Sequence, residues 1–200
     1  MVGVFCINRY PFVPMGEEIT FIIPSINRPS LVKSLVSLEQ QTNPNWRCLV
    51  IYDGVTGPVI THDRIRFIHI QKTGLVGPAN GQAGLVRNIG INQCSTSWIG
   101  FLDDDDTLHK DYVATLFGKY AHRDFVVWRM RYQNGIVLPP LASAELRFAQ
   151  VGISFCYKRS LGELRFDSNR DGEDFDFLQK LKHRTDNFIV APEVFYNVRH

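Results

Sequence analysis

The chain lacks most of the features by which a sequence declares its class at once. No run approaches the roughly 20 apolar residues that span a bilayer, and Asn8 and Arg9 interrupt the only early apolar stretch. Neither a membrane span nor a signal peptide is therefore expected. Cysteine is scarce: Cys6, Cys48, Cys94 and Cys156 lie far apart with no C-x-x-C pair, which excludes the usual zinc spacing and a small disulfide scaffold. Three of the four lie in or beside apolar runs, so reduced, buried thiols and a soluble cytoplasmic protein are expected. Charge of one sign is missing too. The 22 basic and 20 acidic residues leave a net +2, and no nucleic-acid partner is expected. Gly74, Gly77, Gly81 and Gly84 form a glycine-rich stretch, yet it has no G-x-G core, does not directly follow a strand and is not followed by Gly-Lys-Ser/Thr. Dinucleotide-dependent dehydrogenase and P-loop ATPase readings drop away.

What is present is ordinary in bulk and specific in detail. A hydrophobic content of 44% with 12% aromatic residues over 200 positions suits one soluble domain, long enough to bury roughly 70% of its unfolded surface. Ile19 to Pro24 is a β-rich run, and Pro29-Ser30-Leu31 opens a helical pattern with Leu31, Leu35 and Leu38 on one face. Trp46 to Tyr52 and Arg64 to Ile70 read as strands, about Leu85 to Cys94 as a helix and Trp98 to Leu102 as another strand. A helix is expected to begin near Leu108, with Leu108, Tyr112, Leu116 and Tyr120 as its apolar stripe. Phe125 to Tyr132, Gly152 to Lys158 and Phe188 to Ala191 read as strands and Glu173 to His183 as a helix. The alternation predicts an α/β fold with a mostly parallel central sheet flanked by helices. The pattern from Phe195 to His200 stops inside a strand, as expected of one domain within a longer polypeptide.

Four consecutive aspartates, Asp103 to Asp106, follow the strand that ends at Leu102. Each adjacent like charge costs on the order of 1 kcal/mol, so positive charge is expected among them. In an open α/β sheet, ligands sit off the carboxyl ends of strands, and a carboxylate cluster there suits a hard divalent cation. The plainer readings are a solvated acidic turn, or capping of the following helix by Asp106 or Thr107. Two further polar sets end strands: Pro24, Ser25, Ile26, Asn27 and Arg28 after the first, and Asp53-Gly54 after the second. Asp53 suits acceptance from a base N–H, against the plainer reading of an Asp-Gly turn. Arg87, near a helix start, suits a diphosphate or one of the aspartates, against a surface ion pair of little worth.

Four blocks in this order, residues 23–54, 83–91 (AGLVRNIGI), 99–106 (IGFLDDDD) and 172–181 (GEDFDFLQKL), resemble the signature blocks of family 2-like glycosyltransferases of the GT-A fold. The resemblance covers roughly residues 18 to 200 and implies a nucleotide-sugar-binding half (18–106), an acceptor-side half (107–200) and an extension at 1–17. It implies a nucleotide-diphospho-sugar donor, most often a UDP-sugar, a glycan or other hydroxyl acceptor, and Mn²⁺ or Mg²⁺ as cofactor. By position, Pro24, Ser25, Asn27, Arg28 and Asp53 would line the nucleoside and Arg87 the diphosphate side. Asp103-Asp104-Asp105 matches the D-x-D element, with Asp103 near the ribose, Asp104 beside it, and Asp105 and Asp103 as metal ligands. His200 would be a third ligand, and Asp106 would be left to the helix. Glu173-Asp174 matches the acidic pair of inverting members, with Asp174 as general base; helix-start capping is the plainer reading. The region from Arg131 to Arg170 lacks Gln-x-x-Arg-Trp, so transfer of a single sugar is expected rather than polymerisation. The rivals are a sugar-phosphate nucleotidyltransferase, a retaining transferase, and a catalytically silent nucleotide- or glycan-binding module.

Overall fold

The computed structural model describes residues 16–73, 82–167 and 172–199. Among them, nine strands form one sheet in the order β3-β2-β1-β4-β8-β6-β9-β5, with β7 on β6. The first half alternates as its sequence pattern predicts. Strand β1 (Ile19–Ser25) leads through α1 (Leu31–Glu39) to β2 (Trp46–Asp53) and β3 (Ile65–Ile70), and α2 (Ala83–Gln93) returns the chain to β4 (Trp98–Phe101). All three pairings here are parallel: β1 with β2, β2 with β3, and β1 with β4. Strand β1 is thus flanked by β2 on one side and β4 on the other. At its carboxyl end the strand order reverses, which is where α/β sheets open a crevice for ligands.

The second half is mixed. Strand β5 (Thr107–Leu108) is followed by α3 (Tyr112–Thr115), whose last turn widens into a π turn at Leu116–Tyr120; then come β6 (Phe125–Arg131), β7 (Val137–Leu138), β8 (Phe155–Lys158), α4 (Glu173–Lys182) and β9 (Phe188–Asn197). Strand β6 runs parallel to β9, while β8 is antiparallel to both β4 and β6. Strand β8 therefore welds the halves. The core lies on both faces of the sheet: Phe21, Trp46, Trp98, Phe101, Trp128, Phe155 and Phe177 are wholly buried. Phe101, Phe155, Phe166 and Phe177 stack or meet edge to face at 4.3–6.1 Å between ring centres, a geometry worth about 0.5–1.5 kcal/mol per pair beyond area.

Two expected boundaries move. No helix begins near Leu108: Thr107 and Leu108 pair antiparallel with Asn197 and Tyr196 of β9, and the helix starts only at Tyr112. The stripe Leu108, Tyr112, Leu116 and Tyr120 is buried as the pattern requires, because its first member points inward from a strand. Strand β8 starts at Phe155 rather than Gly152, since Phe155 N–H turns back onto Ile153 C=O at 2.8 Å instead of joining the ladder. Cys48, Cys94 and Cys156 are free thiols, and burial pushes Cys94 and Cys156 up to about 12. Among the described residues no helix is long and apolar enough to cross a membrane.

Candidate active site at the carboxyl edge of the sheet

The strand ends converge as their polar residues suggest. Ser25, Asp53 and Asp103 end or follow the three neighbouring parallel strands β1, β2 and β4. The four aspartates do not share one space. A turn, closed by Asp106 N–H on Asp103 C=O at 3.2 Å, makes their burial alternate: Asp104 and Asp106 are buried, Asp103 and Asp105 partly open. Asp104 and Asp105 share Arg28, Asp103 meets Arg87 and Asp106 meets the Arg199 amide, and this disperses the charge that the sequence concentrates.

Asp104 takes the end of β1. Its Oδ2 accepts from Ser25 Oγ at 2.7 Å and Ile26 N–H at 3.3 Å, and its Oδ1 from Arg28 Nη1 at 2.9 Å. Burial raises its pKa, and the Ser25 hydroxyl and Arg28 pull it back. The same Arg28 Nη1 reaches Asp105 Oδ2 at 2.9 Å. Arg28, expected to line the nucleoside, thus supplies positive charge among the aspartates, and it sits on the loop after β1. Asn27, in the left-handed region at φ 62°, which Asn tolerates better than most residues, donates from Nδ2 to Thr56 C=O at 3.2 Å. Pro24 lies within β1 opposite Ile51.

The other cation is Arg87 on α2. Only 4% of its side chain is exposed, and it donates from Nη2 to Asp103 at 2.6 Å and from Nη1 to Glu173 at 2.7 Å, with Asp174 Oδ1 at 3.6 Å. It is therefore no surface ion pair: one buried guanidinium joins the aspartate turn to the start of α4. Gly84 lets this happen. A Cβ there would lie 2.4 Å from Glu173 Oε2 and 2.8 Å from Phe166 Cβ, so α2 approaches α4 only with glycine at that position. Asn88, one turn on, exchanges two hydrogen bonds with the backbone of Phe166 at 2.8 and 2.9 Å, which fixes the segment leading to α4.

Asp174 is half-buried, and its Oδ1, shut off from solvent, has no hydrogen-bond partner. Burial pushes its pKa up to about 7; Arg87 opposes the rise, while Asp103 and Glu173 add to it. A half-buried carboxylate whose pKa is raised toward neutrality beside fixed charge is equipped to take a proton.

Asp106 corrects an expectation. It does not serve a helix: its Oδ1 accepts from Arg199 N–H at 2.9 Å, under β9. Burial first, then the charge of Asp103, pushes it up to about 7, while the Arg199 amide and the Tyr196 hydroxyl hold it down. Tyr196 also accepts from Asp103 N–H at 3.1 Å, so β9 braces the turn from below. Asp53 is buried, and it is more than a turn former. It accepts from Thr73 N–H at 2.7 Å, Thr73 Oγ1 at 3.0 Å and Lys72 Nζ at 3.0 Å. Sequence reasoning missed Lys72, Thr73 and Tyr196. The first two had a signal, because a parallel β3 in register with β2 brings Ile70 beside Asp53 and its next residues onto that carboxylate.

His200 lies outside the described residues, as do Cys6 and the glycines at 74, 77 and 81. Among the described residues, no three His, Cys, Asp or Glu side chains group so as to hold a metal ion. Asp103 and Asp105 are the two left partly open, Asp103 bonded to Arg87 and Asp105 to Arg28. Such a pair fits a hard cation that takes its remaining ligands from phosphate oxygens and water, and does not fit a cage made by the protein alone.

With this geometry, the chain matches Glycosyl transferase family 2 over residues 20–173. It belongs to that family. Among curated relatives it is 33% identical over 114 residues to glycosyltransferase GlyA of Streptococcus pneumoniae, covering 52% of this chain and 15% of that protein. It is 29% identical over 113 residues to a pre-mycofactocin glycosyltransferase of Mycobacterium tuberculosis, covering 56% of this chain and 23% of that protein. The chain thus spans a small part of these relatives. Among solved structures, TarS of Staphylococcus aureus (residues 1–349) in complex with UDP-GlcNAc superposes with a TM-score of 0.70 at 18% identity, over 90% of this chain and 58% of that one. This likeness shows the fold, and the GT-A expectation holds.

Proposed function

We propose that the chain transfers a single sugar from a nucleotide-diphospho-sugar, most simply a UDP-sugar, to a hydroxyl of a glycan or similar acceptor, with inversion at the anomeric carbon. The observation that carries this reading is Asp174. Its half-buried carboxylate, with a pKa raised by burial, lies 3.6 Å from Arg87, which is bonded to the aspartate turn. The uridine choice is supported by TarS, a protein of the same fold solved with UDP-GlcNAc and with UDP. Three free thiols in or near the core support a reducing, cytoplasmic setting.

The residues divide the work. Asp174 accepts the proton of the acceptor hydroxyl as its oxygen bonds to the anomeric carbon and the bond from that carbon to the diphosphate breaks. In the ground state Arg87 holds Asp103, Glu173 and Asp174 in one charge network, so the base is positioned before substrate arrives. Asp103 and Asp105 are the side chains that would hold Mn²⁺ or Mg²⁺ together with the donor, and the cation would offset the charge that builds on the departing diphosphate. Asp53, with Lys72 and Thr73 behind it, and the Pro24–Arg28 loop would face the nucleoside. The test is a panel of UDP- and GDP-sugars assayed in Mn²⁺ for nucleoside diphosphate release. Metal-dependent release from at least one UDP-sugar is expected; none from any donor overturns the proposal.

A further inference from the structure

The segment from Pro139 to Ser154, between β7 and β8, has no regular structure, yet it is held in place. Arg129 of β6, buried, donates from Nη1 to the carbonyls of Pro139 and Pro140, each at 2.6 Å, and from Nη2 to Ser143 C=O at 3.1 Å. A buried guanidinium bound to three carbonyls of one segment is an expensive anchor, since desolvation of its charge is offset only by those hydrogen bonds. The segment so anchored carries Phe148, which is 61% exposed. Its ring is not loose. It meets Phe175 edge to face at 5.9 Å and 84°, and it lies over Gly172, where a Cβ would come within 2.4 Å of Phe148 Cε2. Gly172, at φ 87°, directly precedes Glu173 and Asp174.

We propose that Phe148 is the stacking platform of the acceptor subsite, and that the acceptor offers it the apolar C–H face of a pyranose ring. The inference rests on the transferase reading above and names the acceptor class for the same site. A pyranoside has an apolar face and a hydroxyl rim, which is the chemistry presented at the start of α4: an exposed aromatic ring on one side and, two residues along from the glycine it covers, the half-buried carboxylate of Asp174. Stacking on one face leaves a rim hydroxyl free to reach Asp174. An aliphatic alcohol or a peptide hydroxyl would use the carboxylate and leave the ring idle.

The experiment uses the UDP-sugar donor that gives release in the panel assay and measures stimulation of UDP release by the methyl pyranosides of glucose, galactose, mannose and N-acetylglucosamine. Phe148→Ala is expected to raise KM for the stimulating pyranoside roughly five- to tenfold with a smaller change in kcat, and Phe148→Trp to restore it. Leu141→Ser, an equally exposed apolar position on the same segment, is expected to leave KM unchanged. The inference is overturned if Phe148→Ala leaves KM unchanged, if Leu141→Ser raises it as much, or if no methyl pyranoside stimulates the parent protein. No UDP release at all from the parent, with or without pyranoside, strikes the transferase reading instead and this inference with it.

Discussion

The two halves of the sheet solve the problem of placing polar groups in opposite ways. From Ile19 to Phe101 the strands run parallel, and Ser25, Asp53 and the aspartate turn arrive at strand ends, while Arg87 and Asn88 arrive on α2. From Thr107 onward, strand directions mix, and the important groups arrive on a helix start or a long irregular segment: Glu173 and Asp174 on α4, Phe148 after Ser143. The first half builds a fixed edge from backbone geometry. The second needs individual side chains, Arg87, Asn88 and Arg129, to hold its elements against that edge. Chemistry is thereby assigned to the seam between a rigid half and a pinned one.

The sharpest way to break this comparison is to remove the group the seam presents. Asp174→Asn is expected to lower transfer 10²- to 10⁴-fold, the ordinary contribution of a general base, while UDP binding in a calorimetric titration stays within a few fold of wild type. Next in size is the seam itself. Arg87→Met leaves Asp103, Glu173 and Asp174 facing one another without their cation and is expected to cost about 3 kcal/mol in a urea melt; Arg87→Lys, lacking the planar fork, recovers only part of it.

What the sequence made legible follows the same division. The parallel half was readable because its apolar strands, such as Trp46 to Tyr52, end in polar residues, and the strand-end rule says where those go. The pairing inside the site was less readable. Four adjacent aspartates called for positive charge, and Arg87 was a candidate, but which carboxylate goes to Arg28, which to Arg87 and which under β9 depends on a turn closed by Asp106 N–H. The stripe at Leu108 and Tyr112 read as one helix because an inward-facing strand residue and a helix face can share a spacing of four. Tyr196 could not be tied to Asp103 from sequence, because 93 residues separate them and only β9 brings them together.

Smaller effects sharpen the contrast. Gly84→Ala drives a methyl into Glu173 and Phe166 and is expected to cost about 2 kcal/mol by overpacking, with activity falling because α4 is displaced. Ser25→Ala, within the rigid half, removes one hydrogen bond to buried Asp104 and is expected to cost about 1 kcal/mol. A larger loss in the second variant than in the first, by chemical melt, would reverse the view that the seam is the more delicate region.

The raised pKa of Asp174 links these parts with a defined sign. Burial favours its protonated form in the folded state, so its contribution to stability is complete below the range where an unfolded aspartate titrates and is lost as pH rises toward about 7. In the proposed reaction its ionised form is the base, so activity is expected to rise over the window in which stability falls. The pH–rate profile of UDP-sugar turnover in the wild type and in Asp174→Asn tests the central claim most directly. The account predicts a rate that climbs through about pH 7 in the wild type and a low profile without that rise in the variant; profiles of the same shape and height in both would contradict it.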